Sequence, residues 1–391
     1  MSMRRLTFVL SQYTNRKLLK ATEMRKILFF LLLFIDNMLF AQMSLKKDLD
    51  QLLHQRFDKN QAGIAVMVVK EGKVLYKKGV GMANVDTKEP LSSQSNFRMA
   101  SVSKQFTAMC IMLLAKQGRL SYEDNLLRFF PDFEPTVGKK IKVRHLLTHS
   151  SGIWDYETSL PQERTAQILD AEVVAMLSKE TRTYFEPGTT FRYSNSGFCV
   201  LEQIVEKASG ISYVEFITKH IFKPLGMSST RIYEAGKSIP HRAMGYAKNK
   251  QGKPIASDQS ITSATKGDGC VYTSLEDYYK WYNGLINNKL IPLDSELEKV
   301  AISLPSTSKG QYGLGWFFQK NETEPLALYH TGSTCGFSNG VLIVPSRKYL
   351  FLYFSNIADN HGIEKELISL VKKHNVYDTS FDFLKMVDLT N

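Results

Sequence analysis

Ser101-Val102-Ser103-Lys104 puts a hydroxyl and an amine three positions apart, on one face if this stretch is helical. A serine hydroxyl attacks a carbonyl only once a neighbour takes its proton, and the Lys104 amine is such a neighbour. A helix start adds free backbone N–H groups and a positive dipole end, which favour developing negative charge. The S-x-x-K pattern is weak alone, since it recurs at Ser44, Ser263, Ser306 and Ser369. Ser101 stands apart by context. Phe97-Arg98-Met99-Ala100 precedes it, and an apolar run with Phe106, Met109, Leu113 and Leu114 follows.

Two distant segments supply what acyl transfer still lacks. In Tyr193-Ser194-Asn195, a phenol held beside an ammonium can accept the serine proton, and the Asn195 amide can hold a substrate carbonyl or Lys104. In His330-Thr331-Gly332-Ser333, Thr331 and His330 can hydrogen-bond a substrate carboxylate or carbonyl, and Gly332 lets a substrate backbone come close. The Ser333 N–H, paired with that of Ser101, would make a two-donor oxyanion hole. Ser101, Lys104 and Tyr193 are therefore the expected catalytic residues. Asn195, His330, Thr331, Gly332 and Ser333 are the expected substrate-binding residues. If His330 anchors a carboxylate, binding weakens as pH rises through the imidazole titration. A metal hydrolase is the first rival, because His145 and His149 stand four apart. Leu146 follows His145, however, where a zinc protease motif carries its glutamate base. Neither metal nor cofactor is expected.

The elements that must position these residues follow from periodicity. Leu45, Leu49, Leu52, Leu53 and Phe57 predict an amphipathic helix. Strands over 64–69 and 74–80 turn at Glu71-Gly72. A helix runs from Ser101 to Gln117 and stops at Gly118, a natural C′ residue. Residues 120–300 read as helices cut by loops. One helix spans about 200–208, and another opens at the capping box Thr273-Ser274-Leu275-Glu276-Asp277. Strands return at 312–319, 326–329, 341–344 and 349–354, and a last helix covers 363–374. The fold class is α/β (α+β): an antiparallel sheet flanked by helices, with an inserted all-α lobe.

The ends of the chain read differently. Met24-Arg25-Lys26, the apolar run 27–35 and a stretch closing at Ala41 have the layout of a secretory signal peptide, with translation starting at Met24. Asp36 interrupts the apolar run too early for a membrane span. Residues 1–41 form the leader. Residues 42–376 form one two-lobed domain, its sheet lobe about 42–115 plus 300–376 and its helical lobe about 116–299. The tail 377–391 shows no clear pattern. The chain carries 50 Lys+Arg against 38 Asp+Glu, a formal +12. Without the leader's seven basic and two acidic residues, +7 remains, too mild for a nucleic-acid footprint. It would suit an anionic cell-wall polymer or a membrane surface. The expected partner is a small-molecule or peptide substrate, with cell-wall fragments among the candidates, acting on a monomer outside the cytoplasm. Cys110 and Cys199 lie in apolar helical runs and read as core residues. Cys270 and Cys335 lie in Gly-rich segments, and export leaves a disulfide between them open.

The three boxes, in this order, resemble those of the serine β-lactamase and penicillin-recognising hydrolase superfamily. The likeness is to class C β-lactamases and their D-aminopeptidase, DD-carboxypeptidase and esterase relatives. Arg144-His145-Leu146-Leu147-Thr148-His149-Ser150-Ser151-Gly152-Ile153 is similar to the loop these proteins carry after the nucleophile helix. Phe185-Glu186-Pro187-Gly188, Lys223-Pro224-Leu225-Gly226-Met227, Gly267-Asp268-Gly269 and Gly336-Phe337 agree with it, so the likeness covers about 58–373. Tyr-Ser-Asn replaces the class A Ser-Asp-Asn, and His330 replaces a lysine. The resemblance implies an exported serine hydrolase that forms an acyl-enzyme with an amide, ester or β-lactam carbonyl, of peptidase or esterase type. The alternative is a slowly turning-over sensor that binds penicillin or peptidoglycan fragments.

Overall fold

Six consecutive apolar side chains, Ile64 to Val69, are all fully buried, so this strand must be covered on both faces. A computed structural model describes residues 43–305, 310–319, 325–358, 360 and 362–374. The leader 1–41 and the tail 377–391 lie outside the described residues. The central sheet has eight strands: β1 Ile64–Lys70, β2 Lys73–Val80, β3 Ile302–Ser303, β4 Gly310–Gly313, β5 Trp316–Gln319, β6 Ala327–Thr334, β7 Phe337–Val344 and β8 Tyr349–Ser355. Their order is β3-β4-β5-β6-β7-β8-β1-β2, and every neighbouring pair is antiparallel.

Pleating sends alternate side chains to opposite faces. Ala65, Met67 and Val69 of β1, with Leu350, Leu352 and Phe354 of β8, join the larger core against the inserted helices. Ile64, Val66 and Val68, with Tyr349, Phe351 and Tyr353, join a second core. That second core is closed by α1 (43–56) through Leu45, Leu49 and Leu53, and by a C-terminal helix through Ile363, Leu367, Ile368 and Val371.

Three helices of the other face concern the site: α2 Lys104–Lys116, α3 Asn195–Ser209 and α4 Leu275–Ile286. Ten of the thirteen residues of α2 are buried, so it is the axis of the larger core. Gly118 follows α2 in the left-handed region at φ 69°, as its C′ role requires. Ser274 caps α4 by accepting the Asp277 N–H. The C-terminal helix is α5, Ile363–Lys373.

Several expectations change. The stretch 312–319 is two strands, because Leu314 and Gly315 take positive φ of 54° and 79° and reverse the chain. Strand β6 continues to Thr334, so His330–Ser333 lies inside a strand and not after it; β7 supplies its partner from Phe337 onward. The insert is mainly helical but also carries short strands at Arg231–Ile232, Tyr246–Lys248, Pro254–Ala256 and Val271–Thr273. Val271–Thr273 pairs with Arg231–Ile232 and with Phe97–Arg98, partners distant in sequence that periodicity does not register, while Tyr246–Lys248 and Pro254–Ala256 form a short local hairpin. All four cysteines are free. Cys270 is buried, with Sγ directed at the carbonyls of Ser263 and Thr265, and so is not paired with Cys335.

Candidate active site

Ser101 lies in a 3-10 turn, Ala100–Ser103, that leads into α2. The turn is fixed on both sides. Strand Phe97–Arg98 pairs with Val271–Thr273, the Met99 N–H reaches the Val271 carbonyl at 2.8 Å, and Ser103 Oγ accepts the Val271 N–H at 3.1 Å. Ala100 sits at φ 49°, a conformation that costs a non-glycine residue about 1–3 kcal/mol and persists only where the surroundings impose it. This strained residue immediately precedes the serine.

Lys104 is fully buried, yet each of its three donors finds an acceptor. Nζ donates to Ser101 Oγ at 3.0 Å, to Asn195 Oδ1 at 2.8 Å and to the Asp268 carbonyl at 3.1 Å. The rings of Tyr193 and Phe198 lie 5.0 and 5.6 Å from Nζ. Asn195 is the first residue of α3, and Ser194 is the N-cap, its Oγ accepting the Gly197 N–H at 3.2 Å. A helix starting there, earlier than periodicity suggests, holds Tyr193 and Asn195 together.

Tyr193 Oη is buried and makes no hydrogen bond with Ser101 or Lys104. The hydroxyl and amine therefore touch, while the phenol stands beside them with its hydrogen-bonding capacity unused. His149 stacks on the Tyr193 ring at 4.2 Å, and its Nδ1 accepts the Ser194 N–H at 3.1 Å. Burial first, then the charges of Lys104 and His330, push the His149 pKa well below its ordinary value. His145 instead takes the Lys142 N–H on its Nδ1. The two histidines of the metal rival thus serve different backbone groups.

The third box departs from expectation in three ways. His330 is fully buried: Nδ1 donates to the Thr331 carbonyl at 2.6 Å, and Nε2 takes the Tyr312 hydroxyl at 3.3 Å. Burial pushes its pKa down to about 3, with Lys104 pushing the same way. A neutral ring with both nitrogens engaged cannot be a carboxylate anchor titrating near neutrality, because desolvation penalises its charged form. Pleating places Thr331 and Ser333 on the opposite face from His330 and Gly332. The Thr331 hydroxyl bonds Tyr329 there, so Thr331 offers the cleft its backbone. Gly332 makes room for the protein's own backbone: a methyl group on it would lie 2.2 Å from the Met99 carbonyl oxygen and 3.1 Å from the Ser101 nitrogen. That approach sets β6 against the serine turn. Strand β5 pairs with β6 only over Ala327–Tyr329, so beyond His330 that edge of β6 has no strand on it among the described residues.

Sequence reasoning passed over Glu157, Tyr312 and the Asp268 carbonyl. Glu157 Oε1 accepts from Asn195 Nδ2 at 2.8 Å. Tyr312 packs against His149 at 4.5 Å and bonds His330. Only the Gly267-Asp268-Gly269 likeness hinted at any of them.

Comparison with known proteins identifies the family and the fold. The family model described as Beta-lactamase matches residues 49–375. Penicillin-binding protein 4* of Bacillus subtilis (strain 168) is 31% identical over 356 residues, covering 86% of this chain and 77% of that protein. The octameric penicillin-binding protein homologue from Pyrococcus abyssi superposes with a TM-score of 0.71 at 25% identity, over 85% of this chain and 77% of that one. The D-amino acid amidase from Ochrobactrum anthropi SV3 shares the fold, with a TM-score of 0.70 and 22% identity over 85% and 98% of the two chains.

Proposed function

The chain belongs to the beta-lactamase family of serine hydrolases, and from that premise we propose that it transfers acyl groups through Ser101. The observation that carries this reading is the 3.0 Å contact between Lys104 Nζ and Ser101 Oγ inside a buried, fully hydrogen-bonded lysine site. In the proposed cycle Ser101 Oγ attacks the carbonyl, with Tyr193 as general base and the Lys104 ammonium assisting beside it. The oxyanion is received by the backbone N–H groups of Ser101 and Ser333. Tyr193, whose Oη has no other partner, hands the proton to the leaving group, and water then clears the acyl-enzyme.

The open edge of β6 suits an extended peptide-like substrate, which would add to it as a strand does. A neutral His330 brings no positive charge to a substrate carboxylate, which favours amides and esters over penicillins. The names of the relatives put D-amino-acid amides and penicillins on the same panel. The enzyme is further proposed to be exported through its leader and to work as a monomer. No helix among the described residues is long and apolar enough to cross a membrane.

The test assays nitrocefin, p-nitrophenyl esters and D-amino-acid amides in parallel, with a fluorophosphonate label. Ser101→Ala should abolish labelling and turnover. Labelling or turnover that survives this change ends the reading, and a label never released from the wild type would mark a binding protein. The mass of mature exported protein checks the leader, and light scattering checks the monomer.

A further inference from the structure

Asn195 stands between two groups of opposite hydrogen-bonding character. Lys104 offers it only donors, and the ionised Glu157 carboxylate offers it only acceptors. One amide orientation satisfies both: Oδ1 toward Lys104 at 2.8 Å and Nδ2 toward Glu157 at 2.8 Å. The flipped amide would set donor against donor on one side and acceptor against acceptor on the other. Without Glu157, Lys104 alone opposes that flip. Its consequence would fall on Lys104, one of whose three acceptors is Asn195 Oδ1.

Glu157 is placed firmly for such a role. It lies in the 3-10 turn Tyr156–Ser159, which docks on the start of α3. The Tyr156 N–H bonds Ser196 Oγ at 2.9 Å, and the Tyr156 ring is buried. Asp155, the N-cap of this turn, pairs with Arg192 at 2.6 Å.

We propose that Glu157 is a positioning residue, which holds Asn195 in a single amide orientation and so keeps Lys104 directed at Ser101 Oγ. The proposal rests on the acyl-transfer reading of Ser101 and Lys104. Lost hydration raises the Glu157 pKa above the usual carboxylate range. Asp268 and Asp155 add to the rise, while the Asn195 bond and Lys104 oppose it. Acidification therefore protonates Glu157 earlier than an ordinary glutamate. The acid form, like a glutamine amide, keeps one accepting oxygen but adds a donor, so its hold on Asn195 loosens to about that of E157Q.

The experiment measures kcat on p-nitrophenyl acetate, a neutral ester with no ammonium group for a carboxylate to dock. Glutamine keeps an oxygen that can accept from Asn195, so E157Q should stay within about 3-fold of wild type at pH 7.5. E157A leaves the amide guided by Lys104 alone and should lose about 10-fold, the worth of one hydrogen bond to a charged group. E157K presents donors only, favours the flip and should lose about 100-fold. The wild-type kcat should show an acid limb that E157Q lacks. Glu157 keeps part of its surface in solvent, so melting temperatures should stay near wild type. Equal kcat in all three variants, a loss confined to KM, or an acid limb that persists in E157Q would overturn the proposal. If E157K fails to fold, the contrast between E157Q and E157A and the pH profile decide. Retained turnover in Ser101→Ala would instead mark failure of the acyl-transfer reading.

Discussion

Replacing Gly332 with alanine tests how the sheet is held against the turn that carries Ser101. The added methyl would lie 2.2 Å from the Met99 carbonyl oxygen. Close carbon–oxygen contacts settle at about 3.3 Å, so roughly 1 Å of separation must be found. Neither side yields freely. Strand β6 is paired with β7 from Leu328 to Thr334, and Asn339 Nδ2 ties the Arg98 carbonyl to the Gly332 carbonyl, at 2.9 and 3.4 Å. On the other side, Met99 is bonded to Val271. The two backbones should therefore part, and the same gap sets the spacing of the Ser101 and Ser333 amides. A misplacement near 1 Å costs about 10²-fold in rate. Overpacking adds about 1–3 kcal/mol of lost stability. The assay is kcat/KM on a p-nitrophenyl ester, with Ser101→Ala as the floor and a thermal scan alongside. Activity within 3-fold of wild type refutes the coupling between this contact and the oxyanion pair, whatever the scan shows.

Other outcomes follow from the same geometry. Burial holds His330 near pKa 3 and His149 well below its ordinary value, so the unfolded chain binds more protons at both positions as pH falls below about 6.5, at His330 down to about pH 3. Stability from these neutral rings is full above about pH 6.5 and lost as pH falls, by up to about 1.4 kcal/mol per pH unit for each ring. Denaturant titrations should show His330→Asn with a flatter dependence; an unchanged slope would contradict the buried neutral ring. Ser194→Ala removes the cap of α3, should cost about 1 kcal/mol by chemical denaturation, and should slow turnover by shifting Tyr193 and Asn195. Lys104→Ala should lose several orders of magnitude in acylation rate, measured by stopped-flow labelling. Iodoacetamide should modify Cys335 in the folded protein, whereas Cys110, Cys199 and Cys270 react only after unfolding, as peptide mass mapping would reveal.

The candidate reactive groups stood out in the sequence because the proposed chemistry is carried by residue type and short spacing. Ser101 and Lys104 meet across one helical turn, and that contact is local. The strands of β1 and β8 were legible for a related reason: unbroken apolar runs have few other places to go. Residues whose meaning depends on a distant partner were not legible. Glu157 lies 38 positions from Asn195, and no local pattern links them. His330 looked like a titrating anchor, and only the packing of Tyr312, Phe317 and Tyr193 around it removes the water that would let it ionise. Gly332 was recognised as a place of close approach, but which backbone approaches was a matter of the sheet's seat on the serine turn. Spacing along the chain determined which groups could react. Hydration, protonation and hydrogen-bond direction were decided in the tertiary structure, because each depends on what surrounds an atom in three dimensions.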